Sequence, residues 1–102
     1  MLAGYTLWEG SDDRTSYARQ AAPAGHWELR DVVAIVAREH KDVGSHDGHA
    51  LAPTSPFHGA RLAAVPGLLS VVQQSIEARD LASLGEATEA DALAMHCVML
   101  TF

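Results

Sequence analysis

The stretch SPFHGARLAAVPGLLSVVQQSIEARD (Ser55–Asp80) decides the fold class, because its apolar residues recur with a helical period. Leu62, Val65, Leu69, Val72 and Ile76 follow one another at alternating spacings of three and four, which puts them on one stripe of a helix. Ser55 followed by Pro56 is a helix start, with the serine as N-cap and the proline at the first helical position. Pro66 has no N–H to give the preceding turn, so the pattern predicts a break or kink into two helices there. Asp80 is placed to N-cap a further helix with Leu81, Leu84, Ala87, Leu93 (or Ala94) and Cys97 turned inward.

Working toward the N-terminus, the periodicity changes. Gly4-Tyr5-Thr6-Leu7-Trp8-Glu9 alternates and is rich in aromatic and β-branched residues, which predicts a strand, and Gly10-Ser11-Asp12-Asp13 reads as a turn. Residues 14–27 are mixed, with a loop at Ala21–Gly25. Val32-Val33-Ala34-Ile35-Val36 is a short, continuous apolar run that predicts a strand covered on both faces. Residues 38–55 show no period, contain Gly44, Gly48 and Pro53, and read as a long loop. Two strands followed by two to three helices on an incomplete sheet make an α+β arrangement, and residues 1–102 read as a single partial domain.

Composition narrows the function. A formal net charge of −6 with only seven Lys and Arg, scattered along the chain, argues against binding nucleic acid or an acidic membrane surface. Cys97 is the single cysteine, so a reducing compartment, by default the cytoplasm, is the simplest setting. No apolar run reaches the ~20 residues of a membrane span. Trp8 and Trp27 read as core or interface anchors, and Glu86, Glu89 and Asp91 as a solvated helix face. His96 and Cys97 are helix neighbours that point in different directions, so they do not form a catalytic dyad.

The densest polar cluster is His40-Lys41-Asp42-Val43-Gly44-Ser45-His46-Asp47-Gly48-His49. Three readings stay open. Glycines that let a ligand approach the backbone, with Ser45, Lys41 and the histidines as donors, would suit an anion. His40, His46, Asp47 and His49 offer metal-ligand types, but His-x-x-His on a loop does not fix them as a helix would. A solvated loop with incidental histidines is the third.

The order of the motifs resembles a known family. Gly4–Glu9 is similar to its Gly-Gly-aromatic strand ending in Trp, and His26-Trp27-Glu28-Leu29-Arg30 before Val32–Val36 to its HW-x-L-R entry into an apolar strand. Lys41-Asp42-Val43-Gly44-Ser45 with Gly48 resembles its K-x-V-x-S-x-x-G loop. Thr54-Ser55-Pro56-Phe57, Ala60-Arg61 and Ala64-Val65-Pro66 resemble its TSP…AR…AVP helix start, with Glu77–Asp80 and Met95-His96 in step with a later ERD…FHA pattern. The family is mevalonate diphosphate decarboxylase, within the GHMP kinase-like superfamily, and the resemblance runs over residues 4–101.

That resemblance implies a partial GHMP kinase-like fold and, for the full-length relative, an ATP- and Mg2+-dependent carbon–carbon lyase of isoprenoid biosynthesis. Such an enzyme phosphorylates the tertiary hydroxyl of a mevalonate phosphate or diphosphate, then eliminates phosphate and carbon dioxide. Ser45, His46, Gly48 and His49 fall where the family contacts the substrate's phosphate end, with no metal among the implied ligands. Bacterial relatives often carry Arg in place of His46 and Met in place of His49. Losing the always-charged Arg fork leans toward the branch that takes mevalonate 5-phosphate. The family's ATP loop and its acidic catalytic residue would lie on either side of residues 1–102, so the chain alone is expected to bind no ATP and to be inactive. A stand-alone binding or assembly domain, for which a homodimer is one form, is the alternative.

Overall fold

A computed structural model describes residues 3–10, 12, 14–38 and 45–102, with the backbone alone described at 45–47. The chain divides into two compact units, Met1–Val32 and Val33–Phe102.

The first unit is an antiparallel hairpin of β1 (Tyr5–Glu9) and β2 (Tyr17–Ala22), in the register Thr6↔Gln20, Leu7↔Arg19, Trp8↔Ala18 and Glu9↔Tyr17. Alternation in β1 turns Leu7 inward, where it is buried, and leaves Trp8 75% exposed, so Trp8 is not a core anchor here. The reversal between the strands rests on Asp12, whose Oδ1 accepts from the backbone N–H of Arg14 and Thr15, each at 2.9 Å. Those bonds hold its carboxyl below the ordinary carboxylate range, Thr15 N–H first. Gly10 adopts φ 130°, and a side chain there would meet Ser16 Cα at 2.5 Å, so the turn requires glycine. Across the strands Glu9 accepts from the Tyr17 hydroxyl and from Arg19 Nε. Both donors lower the Glu9 pKa, Tyr17 more than Arg19.

The second strand is therefore not where the apolar run placed it. Residues 27–38 have no regular secondary structure, and Val32, Val33, Ile35 and Val36 are 67–95% exposed. A strand exists only through its ladder, and among the described residues β1 and β2 pair solely with each other. Two antiparallel strands followed by three helices nonetheless give the expected α+β arrangement.

The second unit holds α1 (Ser45–Leu51), a single 3-10 turn (Ala52–Thr54), α2 (His58–Ala78) and α3 (Leu81–Thr101). Helix α2 starts at His58, not Pro56; Ser55 acts ahead of it, its Oγ accepting from the Phe57 N–H at 3.1 Å. The helix runs unbroken through Pro66, contrary to the expected break. Pro66 lies on the exposed side, so its ring and its missing hydrogen bond face away from the packed stripe, and packing along α3 holds both halves in line. Val65, Val72 and Ile76 turn partly inward as the spacing predicts, whereas Leu62 and Leu69 are exposed and Leu68 and Ser75 take their places.

The α2–α3 junction is the best-defined turn. Arg79 sits in the left-handed region at φ 56°, its N–H donating to Ile76 O and the Asp80 N–H to Ser75 O at 2.8 Å, which closes α2. Asp80 then caps α3 as its position predicts. Its carboxylate accepts from the Ser83 N–H at 3.1 Å and the Ser83 hydroxyl at 2.7 Å. In α3, Ala87 and Val98 are buried, with Leu84, Ala94 and Cys97 partly so, while Leu81 and Leu93 are exposed. The helices form an antiparallel hairpin bridged by Arg61 Nη2–Asp91 Oδ1 at 3.4 Å.

Candidate functional site

The polar cluster is not a loop throughout. From Ser45 it is helical, and Ser45, His46, Gly48 and His49 all fall within α1. The reason is context: Ser-His-Asp-Gly-His-Ala-Leu has no apolar period, and Gly48 disfavours a helix, so the turn that follows and its packing hold it. His40 and Lys41–Gly44 lie outside the described residues, as do the side chains of Ser45, His46 and Asp47. The three readings of the cluster are thus seen only at its C-terminal part. There, Gly48 is half-buried and His49 exposed in the last turn of α1.

What lies beneath α1 is clearer. The 3-10 turn Ala52–Thr54 packs against α1, α2 and α3. Thr54 closes it by donating its hydroxyl to Leu51 O at 2.7 Å, and the Ser55 N–H donates to Ala52 O at 3.0 Å. The Ser55 side chain, 5% exposed, meets Thr101 Oγ1 at 2.5 Å. A Cβ added at Gly48 would lie 3.9 Å from Phe102 Cε2, so the Phe102 ring faces the helix where it carries no side chain. The last residue of α3 and its cap thus meet both ends of the 48–55 segment. Their spacing from α1 in sequence gives no sign of this.

Just after this segment, the first turn of α2 carries His58 and Arg61. Nδ1 of His58 and Nε of Arg61 are buried with no partner among the described residues, while Arg61 Nη2 reaches Asp91. Arg61 stands where a polar residue interrupts the inward stripe ahead of Val65, which is the sequence signal for it.

In the first unit, Gly4, Tyr5, Ala24, Gly25, Trp27, Glu28 and Leu29 line an open cleft of about 520 Å³. The Tyr5 hydroxyl donates to Trp27 O, and its ring meets His26 edge-on at 6.3 Å. Glu28 is the one charged side chain in that lining, so it repels rather than holds a nucleotide phosphate. Among the described residues no three His, Cys, Asp or Glu converge to hold a metal ion. Nor is any described helix long and apolar enough to cross a membrane.

Comparison with known sequences decides the family. The sequence model of the mevalonate 5-diphosphate decarboxylase C-terminal domain matches residues 31–102. The chain belongs to that family. The match takes in α1, α2, α3 and the exposed 32–36 run, and it ends on Phe102. Diphosphomevalonate decarboxylases from Aspergillus fumigatus, Danio rerio and Homo sapiens are similar to this chain at 32%, 35% and 34% identity. Each similarity covers 98% of the chain and 26% of the relative, so this decarboxylase-family chain spans about a quarter of the relatives' length.

Proposed function

We propose that the chain is the central to C-terminal-domain portion of an ATP-dependent decarboxylase of the cytoplasm. That enzyme would convert mevalonate phosphate or diphosphate to isopentenyl phosphate or diphosphate. The observation that carries this reading is the family match over residues 31–102, continued by relatives named diphosphomevalonate decarboxylase along 98% of the chain. In that reaction ATP phosphorylates the tertiary hydroxyl, and the phosphate so formed leaves as the carboxylate is lost as carbon dioxide. This chain's part would be to hold the phosphate end of the substrate from α1, with Ser45, His46, Gly48 and His49 as the contacts. Backbone amides freed by glycine and imidazole donors suit a phosphate chemically.

The experiment is a titration of the 15N-labelled chain with mevalonate 5-phosphate and, separately, mevalonate 5-diphosphate. Saturable amide shifts centred on Gly48 and His49 support the reading, and the tighter ligand identifies the substrate branch. The substitution of His46 and His49 for Arg and Met favours the monophosphate. Shifts confined to the β1–β2 hairpin, or none with either ligand, would remove α1 from the substrate site.

A second reading, an assembly domain, is favoured by the exposure of Val32, Val33, Ile35 and Val36. It requires that the chain self-associate through that run. A concentration-independent monomer by sedimentation would exclude it.

A further inference from the structure

We infer that Phe102 is a positioning residue for α1, setting where Gly48 and His49 stand at the phosphate end of the substrate. The inference rests on the reading of α1 as the substrate-phosphate element. A helix of seven residues has no stability of its own, so its place must come from what it leans on. Two supports are visible. The 3-10 turn that follows α1 is tied to α3 through Ser55 and Thr101, and the Phe102 ring lies within van der Waals reach of the Cβ position that Gly48 leaves empty.

The support is itself fixed. The Phe102 N–H donates to Val98 O at 3.0 Å, and the Thr101 hydroxyl lies 2.8 Å from Cys97 O, to which it can donate. Val98, one turn earlier, is among the most buried residues described. Movement of α1 relative to the α2–α3 hairpin is thereby resisted at one aromatic contact. Phe102 is only half-buried and lies beyond the Ser75, Ala87 and Val98 core, so its loss acts on α1 before it acts on the hairpin. Gly48 matters in the same contact. A methyl group there would sit at ordinary van der Waals distance from the ring, whereas a larger side chain would push the ring away.

The test compares the wild-type chain with Phe102→Ala, Phe102→Leu and Gly48→Phe. It reads Cα secondary shifts at 48–51 and affinity for mevalonate 5-phosphate and for mevalonate 5-diphosphate. Phe102→Ala should erase the helical shifts at 48–51, keep those of α2 and α3, and weaken binding about tenfold. Gly48→Phe should erase the same helical shifts. Phe102→Leu should stay within about twofold of wild type, since it keeps an apolar contact. Unchanged α1 shifts and affinity in Phe102→Ala would overturn the inference, as would equal loss across α2 and α3. If the α1 shifts respond as expected but wild type binds no ligand, the anchor stands and the phosphate reading of α1 falls.

Discussion

The hydroxyls of Ser55 and Thr101, 46 residues apart in sequence, meet at 2.5 Å where the start of α2 comes against the end of α3. This bond closes the open end of the helical hairpin, opposite the Arg79–Asp80 turn, and ties the segment after α1 to both long helices. Ser55 is nearly inaccessible and also accepts from the Phe57 N–H, so it has two bonds to lose.

Ser55→Ala should therefore lower unfolding free energy by about 1–2 kcal/mol, one buried hydrogen bond plus part of a cap. Thr101→Val should cost about 1 kcal/mol by leaving the Ser55 hydroxyl short of a partner. Denaturant titrations of both single variants and the double variant should show the two losses to be non-additive. Strict additivity would mean that the hydroxyls do not interact.

Pro66 stands inside α2 without breaking it. Alanine at this exposed position would restore an N–H to the helix and remove the ring. Pro66→Ala should raise stability by up to ~3 kcal/mol, read as a higher thermal midpoint. A lower midpoint would show that the helix depends on the proline.

Asp80 makes the α2–α3 turn sensitive to acid. The Ser83 hydroxyl, and after it the Ser83 N–H, hold its carboxyl below the ordinary carboxylate range. A depressed folded pKa means that its contribution is complete above the unfolded value of ~3.9 and is lost as pH falls through the folded value. Asp80→Asn keeps a cap oxygen but does not titrate. The stability difference between wild type and Asp80→Asn should thus be constant near neutrality and shrink below about pH 4. A difference that does not change between neutrality and strong acid would contradict the assignment.

How far these features could be read from sequence depends on what holds each one. Asp80 and the inward Val65, Val72 and Ile76 were legible because capping and helical period are local properties. β2 was not, since Tyr17-Ala18-Arg19-Gln20-Ala21-Ala22 lacks alternation and is a strand only through its ladder to β1 and the Tyr17–Glu9–Arg19 contacts. Val32–Val36 misled for the converse reason: the composition of a buried strand is present, but the described residues provide no partner for it. At the candidate site, the family resemblance singled out Ser45, His46, Gly48 and His49, and their helical state was not legible because no apolar period marks α1. The supports at Ser55, Thr101 and Phe102 depend on contacts between distant segments, which no local pattern records.

The exposed run carries a prediction of its own. Val32, Val33, Ile35 and Val36 lie in water along a segment with no hydrogen-bonded ladder. Replacing Val33 and Ile35 with Thr should leave the unfolding free energy within about 0.5 kcal/mol of wild type and improve solubility, as for surface positions. A drop of several kcal/mol would mean that the run is buried in solution.

The most direct test of the account is carbon dioxide release by the polypeptide translated from the whole reading frame that contains these residues. With carboxyl-labelled mevalonate 5-phosphate or 5-diphosphate, the account predicts ATP-dependent release of one carbon dioxide, one phosphate and one ADP per substrate consumed. A folded product of that frame releasing no carbon dioxide from either substrate, with ATP and Mg2+ present, would contradict it.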